Sequence, residues 1–292
     1  MPNNHWQIGD VKITRILEGE SAGPMFLLPD ATRKNIQAMP WLQPHFADED
    51  GNCIVSIHAL VLETPTKTIV VDTCLGNDKE RAIKSWGHLQ TKFVEDITSA
   101  GYPPESIDMV LCTHLHTDHV GWNTQLVDGK WIPTFKNAEY IFGREEWKYT
   151  DDQRSNPLYN EFIVDSIQPV IDAGLVRFVE VNEQICNEVR LEPTPGHTPG
   201  HVSVRIESNG EKAVITGDFL HHPCQMEEPY WECSADWDTP MAQKTRVESL
   251  EKFAEEELLV FGTHFATPSA EKVVRKGKHF QFEVSAQGRY ER

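Results

Sequence analysis

The sequence predicts an α/β fold in which two β-sheets pack together and helices cover their outer faces. Short apolar runs of strand length alternate with longer segments whose apolar residues recur at helical spacing. Strands precede a helix in the first half of the chain, and the same order returns in the second half. Two packed sheets flanked by helices satisfy the need of each element to bury its apolar face.

Ten segments have the apolar, β-branched composition of strands. They are residues 11–17, 54–62, 68–72, 109–112, 140–142, 176–181, 188–192, 202–206, 213–216 and 258–261. Helical spacing is found at residues 89–100, 144–150, 157–173 and 240–257. Gly101 and Gly174 follow two of these segments, where glycine commonly ends a helix.

Residues 21–52 differ from the rest because they have few regular signals, four prolines and many apolar residues. A long loop of this kind usually acts as a lid, a binding loop or an oligomer contact. The alternative is a loop packed onto its own domain. Since no linker is visible, residues 1–292 are predicted to form one domain, with 21–52 as its lid or interface loop.

Composition excludes several classes of partner. The net charge is −18 and the pI is about 5.1, so the surface should repel nucleic acid and anionic membranes. The first ten residues are polar, and no run approaches the roughly 18 apolar residues of a membrane span, which predicts a soluble cytoplasmic protein. The six cysteines form no CxxC pair, so reduced thiols are expected.

The hexapeptide HLHTDH, residues 114–119, is the strongest functional signal. It follows the apolar run 109–111 and places three imidazoles and a carboxylate within six residues. These are side chains that bind zinc and similar metals. At this density they would repel and desolvate one another without a cation between them. The motif therefore predicts a metal and favours two.

Three downstream segments offer further ligands. His197 lies in the glycine- and proline-rich turn PGHTPGH, Asp218 ends TGD after the run 213–215, and His264 ends GTH after the run 258–261. An apolar run that ends in a small residue and then a ligand is how strands deliver side chains to one edge of a sheet.

These four motifs in this order resemble those of the metallo-β-lactamase superfamily of dinuclear metal hydrolases. The resemblance extends over about residues 11–265 and implies an αβ/βα sandwich of two mixed sheets flanked by helices. It implies that a first metal is held by His114, His116 and His197. A second would be held by Asp118, His119 and His264, with Asp218 as the bridging ligand.

The resemblance also implies the chemistry. Two divalent ions share a hydroxide that attacks the substrate, and zinc is expected, although manganese, cobalt or iron would also suit these ligands. Asp118 and Asp218 are therefore predicted as catalytic residues as well as ligands, with Asp118 as a shuttle for the hydroxide proton. Asp72 would orient a ligating histidine, but the family's usual DTG turn here reads DTC.

His221 lies where quorum-quenching lactonases of this superfamily have a tyrosine that contacts the substrate carbonyl. It is predicted to make that contact or to protonate the leaving group, with a surface histidine as the alternative. Trp122, Phe219 and Phe265 are predicted pocket walls, with core packing as the alternative for each. In related lactonases the N-terminal loop lines the pocket or a dimer interface. Phe26 and Trp41 of residues 21–52 are therefore further substrate-binding candidates, and a homodimer is left open.

The predicted function is an acyl-homoserine lactonase-like hydrolase that opens lactones or cleaves esters of small molecules. The sequence after the first motif, DHVGWN, is closer to the branch with acyl-homoserine lactonases and methyl parathion hydrolase than to β-lactamases. Organophosphate or aryl-ester hydrolysis is the first alternative, followed by β-lactam hydrolysis and an iron-dependent dioxygenase. A metal-free binding module would require lost ligands, and none is lost.

Overall fold

The computed structural model describes residues 4–284. The strands of the first half are β1 (His5–Ile8), β2 (Val11–Gly23), β3 (Cys53–Glu63), β4 (Thr68–Val71), β5 (Met109–Leu111), β6 (Thr124–Val127), β7 (Lys130–Pro133), β8 (Glu139–Gly143) and β9 (Val176–Val179). Those of the second half are β10 (Gln184–Cys186), β11 (Val189–Pro193), β12 (Val202–Ser208), β13 (Glu211–Ile215), β14 (Leu259–Phe261), β15 (Ala270–Lys276) and β16 (His279–Phe282).

The α-helices are α1 (Arg33–Gln37), α2 (Phe93–Ser99), α3 (Thr117–Val120), α4 (Arg144–Asp152), α5 (Pro157–Phe162), α6 (Gln168–Asp172), α7 (Cys224–Glu227) and α8 (Thr239–Glu256). The predicted helices at 144–150, 157–173 and 240–257 are present, and the one at 89–100 begins later, at α2. Within residues 4–284, none of the helices has the length and apolar character needed to cross a membrane.

Two seven-stranded mixed sheets form the body of the molecule, which confirms the predicted fold class. The first has the order β1-β2-β3-β4-β5-β8-β9 and the second the order β10-β11-β12-β13-β14-β15-β16, with β6 and β7 as a separate hairpin. Pairing is parallel from β4 through β5 and β8 to β9, and again between β13 and β14. Loops that follow β4, β5, β13 and β14 can therefore meet at one edge of the sandwich.

Alternation along the strands divides the core into layers. Leu60 and Leu62 of β3 face an apolar cluster between the two sheets, which also contains Ile215 and Phe261. Val61 lies between the first two and faces the opposite side, where apolar residues of α2 and α5 pack. Apolar residues of α8 cover the second sheet at β13 and β14. This two-residue period is what the strand patterns predicted.

Several strands were not predicted from the sequence because they are short, partly exposed or at a sheet edge. These are β1, β6, β7, β10, β15 and β16. Strand β2 is also longer than predicted: after a register shift between Leu17 and Gly19 it continues to Gly23, paired with β3. The first three residues of the predicted loop 21–52 therefore belong to a strand.

The remainder of that loop packs onto the second half of the molecule. It contains α1, capped by the Thr32 side chain, and a short 3₁₀ turn. Ile36, Leu42 and Phe46 are completely buried in the cluster beneath α8, whereas Phe26 is 86% exposed. The lid or interface role stays a prediction, as does the assignment of the whole chain to one domain.

A single turn of π-helix, Ile163–Ile167, joins α5 to α6. Pro169 has no N–H and cannot donate to the carbonyl of Asp165 four residues earlier. That carbonyl instead accepts hydrogen bonds from the buried Lys79 ammonium, at 3.1 Å, and from the Thr124 hydroxyl. The interrupted helix is thereby fixed to the loop after β4 and to the β6–β7 hairpin.

Candidate metal centre

The seven predicted metal ligands lie at one edge of the sandwich. His114, His116, Asp118 and His119 come from the loop after β5 and from α3. His197 lies in the turn between β11 and β12, and Asp218 and His264 follow β13 and β14. Each of these ligands follows the end of a strand. Side chains beyond the last paired residue of a strand are free to turn toward the gap between the two sheets.

Three histidines form one group. The Nδ1 atom of His116 lies 3.0 Å from Nε2 of His197. The ring of His114 lies 4.6 Å from that of His116 and 4.9 Å from that of His197, between centroids. One ligand atom from each lies within 4.8 Å of the others, so the group can hold a metal ion.

Asp118, His119 and His264 form a second group of the same kind. Nε2 of His119 lies 3.7 Å from Oδ1 of Asp118, and Nε2 of His264 lies 3.6 Å from Oδ2 of the same carboxylate. Two imidazoles and a carboxylate with their ligand atoms turned to a common point suit a divalent cation of the zinc type.

Asp218 lies between the two groups. Its carboxylate oxygens are 3.1 Å and 3.3 Å from Nε2 of His264 and His119, and 4.0 Å and 3.8 Å from Nε2 of His114 and His197. Burial alone would raise the pKa of this carboxyl, but the neighbouring His264 and His119 hold it well below the usual value. A carboxylate in this position can offer one oxygen to each of two cations.

Outer hydrogen bonds fix the orientation of the histidine rings. The Nδ1 atoms of four of them have partners: His119 with Asp72 Oδ2 at 3.0 Å, His197 with Asp236 Oδ1 at 3.0 Å, His264 with the Ser56 carbonyl at 3.1 Å, and His114 with the Thr113 hydroxyl at 3.2 Å. A carboxylate or carbonyl that accepts a hydrogen bond from Nδ1–H leaves the Nε2 lone pair free for a metal.

Asp72 has the contacts predicted for a residue that orients a ligand. Its carboxylate accepts hydrogen bonds from the backbone N–H and the hydroxyl of Thr113, at 2.8 Å and 2.9 Å, besides its contact with His119. Asp72 and Cys74 have φ angles of 55° and 54°. The DTC sequence therefore forms a turn with left-handed residues even though cysteine stands where the related family has glycine.

The donor set fits a bound metal. His114 Nε2, His119 Nε2 and Asp218 Oδ1 are fully buried, and none of them has a hydrogen-bond partner among the residues described. Each buried polar atom without a partner costs about 1–3 kcal/mol. Burial also lowers the pKa of His114 and His197 well below the usual value and that of His116 to about 3, so these rings are neutral, the form that binds metal.

His221 belongs to the same cluster. It is buried, with Nε2 3.3 Å from Asp218 Oδ2 and 3.7 Å from the Cys233 thiol, so it is not a surface histidine. Its neighbour His222 has a structural role: Nε2 donates to the Phe46 carbonyl at 2.8 Å, and Nδ1 accepts from the Cys224 N–H at 3.2 Å. The two consecutive histidines therefore face different surroundings.

Cys233 was not singled out by the sequence. Its thiol, together with His197 and His221, forms a further group whose ligand atoms lie within 4.8 Å of one another. Cys233 lies in a segment without helix or strand, and no spacing relates it to the metal motifs. Only the folded chain brings it to the centre.

The predicted pocket walls have packing partners elsewhere. Phe219 lies against Phe253 of α8, and Phe265 lies against Phe46 and Phe282; both are completely buried. Core packing, the alternative weighed for each, accounts for these positions, and a role of either ring as a pocket wall stays a prediction.

The other three residues predicted to contact the substrate are Trp122, Trp41 and Phe26. Trp122 stacks on Phe93 at 5.5 Å and donates to Glu18 at 2.6 Å, and the Trp41 indole donates to Glu227. Phe26 projects from the surface. Their role in substrate binding stays a prediction.

A group of aromatic side chains that sequence reasoning missed borders the centre. The Tyr159 ring lies 6.1 Å from the His116 ring, its hydroxyl lies 3.1 Å from that of Tyr149, and Tyr149 lies 6.4 Å from Trp237. The backbone of Trp237 donates to the His197 carbonyl at 3.0 Å. Tyr149, Tyr159 and Trp237 form what we call the aromatic rim.

Residues 19–23, GESAG, match the G-x-S-x-G pattern of serine hydrolases, which the sequence interpretation overlooked. In such enzymes the serine lies on a sharp turn from strand to helix. Here Ser21 is an exposed residue within β2, paired with Val55 of β3. This segment lacks the geometry of a nucleophile turn.

Comparison with known proteins agrees with this architecture. Residues 54–264 match the metallo-beta-lactamase superfamily, so the chain belongs to that superfamily. The predicted class, a metal-dependent hydrolase related to the lactonase branch, is confirmed.

Similar proteins include N-acyl homoserine lactonases. An N-acyl homoserine lactonase of Bacillus sp is 28% identical over 222 residues, which cover 70% of this chain and 79% of that protein. The N-acyl homoserine lactonase of Bacillus cereus is 25% identical over 230 residues, covering 73% and 83%.

Solved structures with the same fold include the hydrolase AbOPH of the beta lactamase superfamily, with a TM-score of 0.79, 25% identity and 95% of each chain covered. They also include AidC, a dizinc quorum-quenching lactonase in complex with its product, with a TM-score of 0.78, 20% identity and 97% of each chain covered.

Proposed function

We propose that this protein is a dinuclear metal-dependent lactonase with N-acyl homoserine lactones as its substrate class. The observation that carries the proposal is the division of the seven donors, five of them buried, into two groups that share Asp218. The relatives named N-acyl homoserine lactonase, up to 28% identical over most of their length, support the choice of substrate.

His114, His116 and His197 would hold one ion, and Asp118, His119 and His264 the other. When bound, two divalent cations, with zinc as the expected metal, supply Lewis-acid activation of a water molecule and of the ester carbonyl. Asp118 is the more exposed of the two carboxylates, at 12% of its side chain against 5% for Asp218. It is therefore the donor best placed to pass a proton to solvent.

His221 would contact the substrate. Its imidazole lies beside the shared carboxylate and belongs to neither of the two proposed ligand groups. An N–H at this position can donate to the substrate carbonyl or to the leaving alkoxide, the role that the sequence resemblance assigned to it.

Replacing His221 with glutamine is expected to lower kcat about 100–1,000-fold, because a positioned acid or oxyanion donor contributes about that much. Zinc content should stay at the wild-type value, since the proposed ligands are intact. Steady-state kinetics with metal analysis of the same sample checks this. His5→Gln, at the edge strand β1, is the matched control and should leave both unchanged. An unaltered kcat in His221→Gln would remove this residue from the mechanism.

The aromatic rim would bind the acyl chain. It lies on the His116 side of the centre, and Trp237 remains 49% exposed, so it has surface available to a ligand. Each buried methylene contributes about 0.8 kcal/mol, so binding should strengthen with chain length.

Trp237→Ala is expected to raise KM for a decanoyl lactone about 5–20-fold, which corresponds to about 1–2 kcal/mol of lost apolar contact, and for a butanoyl lactone less than about threefold. The kcat values should change little, because the contact is the same in the ground and transition states. Kinetics across the two substrates checks this. Equal effects on KM for both lactones would show that the acyl chain does not bind at the aromatic rim.

The function is tested by following proton release from homoserine lactones with butanoyl to dodecanoyl chains, using zinc-loaded protein and a chelator-treated sample. Metal-dependent ring opening that improves with chain length supports the proposal. Absence of turnover on every lactone would overturn it.

The second candidate is hydrolysis of aryl esters or phosphotriesters. It is favoured by the aromatic rim, which can stack on an aryl group, and by His221 in place of the tyrosine of the related lactonases. Chromogenic substrates of both kinds, with a chromogenic cephalosporin as a third, distinguish it from lactone opening.

A further inference from the structure

The buried carboxylate of Glu146 takes no part in the chemistry described above. It lies in the first turn of α4, at 1% exposure, and outside the groups of possible metal ligands. A charged group in the core is costly unless it is fully hydrogen-bonded. We propose that Glu146 is a positioning residue that joins the two loops bearing the three-histidine group and thereby sets the metal affinity of that group. The inference rests on the metal site of the proposed function.

The contacts of Glu146 reach both loops. Its Oε1 accepts a hydrogen bond at 3.0 Å from the backbone N–H of Leu115, which lies between His114 and His116. Its Oε2 accepts one at 2.6 Å from the hydroxyl of Thr198, the residue after His197. One carboxylate is therefore bonded within one residue of all three histidines.

Gly200, two residues after Thr198, brings the second loop still closer to α4. A Cβ at Gly200 would lie 2.3 Å from the Glu146 backbone nitrogen, so only glycine permits this approach. The turn after His197 is thus held against the start of α4 by backbone packing and by the carboxylate together.

This arrangement links elements that are distant in the chain. Leu115 belongs to the loop after β5 in the first sheet, whereas Thr198 and Gly200 belong to the turn between β11 and β12 in the second. Burial raises the pKa of Glu146 to about 7, and the hydrogen bonds from Thr198 and Leu115 oppose that rise. The separation of His116 from His197 therefore depends on a group that binds neither ring.

The test compares zinc affinities by competition with a chromophoric chelator. Glu146→Gln places an amide NH₂ beside two hydrogen-bond donors, Leu115 N–H and the Thr198 hydroxyl, and is expected to weaken zinc binding about 10–100-fold, the usual effect of losing an outer partner at a metal site. Thr198→Val, which loses one hydrogen bond, should weaken it about 5–20-fold. Thr198→Ser keeps the hydroxyl, so its zinc affinity should stay within about twofold of the wild type. The same is expected for Glu145→Gln, which changes the exposed carboxylate directly before Glu146.

Thermal unfolding of the metal-free proteins is measured alongside. Wild-type zinc affinity in both Glu146→Gln and Thr198→Val, with a lower Tm for the metal-free protein, would assign Glu146 to core packing alone and overturn the inference. If Glu146→Gln does not fold, the pair Thr198→Val and Thr198→Ser decides. Because the readout is zinc binding, it is independent of substrate: weakened binding in a protein that opens no lactone would sustain this inference and reject only the proposed function.

Discussion

Replacing Asp218 with asparagine is expected to abolish lactone hydrolysis, with kcat/KM reduced at least about 1,000-fold, and to remove at least one metal ion per chain. The carboxylate is the negative charge common to both donor groups, with oxygens 3.1 Å to 4.0 Å from four ring nitrogens. Asparagine keeps the shape, but it removes the charge and directs an N–H₂ group at a position that a cation must occupy.

The measurement is zinc content after gel filtration, together with activity. Asp128→Asn is the matched control, because it changes the exposed turn sequence Asp-Gly between β6 and β7 to Asn-Gly, which suits the same hairpin turn. Two zinc ions and more than a tenth of the activity in Asp218→Asn would contradict the shared-ligand assignment.

Replacing Asp72 with asparagine is expected to weaken metal binding about 10–100-fold without touching a proposed ligand. The Asp72 carboxylate contacts both Thr113 and the Nδ1 atom of His119. An asparagine that keeps the bond from Thr113 N–H presents its NH₂ group to His119. The ring must then accept at Nδ1 and have its proton at Nε2, where it blocks a metal.

Backbone strain does not complicate this variant, since asparagine adopts the left-handed conformation of Asp72, with φ of 55°, about as readily as aspartate. Zinc competition measures the affinity, and a two-dimensional NMR spectrum of the imidazole nitrogens reports the tautomer of His119. A zinc affinity within twofold of the wild type would show that the hydrogen bond from Asp72 does not determine the tautomer of the His119 ring.

The candidate metal centre was the part of the molecule most open to prediction from sequence. Its proposed ligands lie after strand-like runs, so local pattern and the rule that loops extend from strand ends were enough to group them. The motif at 114–119 supplies four of the seven donors within one loop and one turn of helix.

The pocket walls were harder to predict because adjacency in sequence is not adjacency in space. Phe219 follows Asp218, but successive side chains point in different directions, and Phe219 packs against α8 instead. The aromatic rim comes from α4, α5 and an irregular segment before α8, so its position depends on how these elements pack on the sheet.

Glu146 and Cys233 illustrate the same limit. In sequence Glu146 is one of several acidic residues on a polar helix, and Cys233 is one of six cysteines without a pattern. Only the packing of α4 against the turn at Gly200 buries the first, and only the path of the segment after α7 brings the second to His221. Tertiary contacts of this kind leave no periodic signal.

The central claim is that two divalent ions, held by two donor groups that share Asp218, give a lactonase. Titration of metal-free protein with zinc, followed through the initial rate of N-hexanoyl homoserine lactone opening, tests it most directly. We expect no activity without metal and a rate that rises until about two equivalents per chain are bound. Full activity in the metal-free protein, or no lactone opening at any zinc level in a protein that binds the metal, would contradict it.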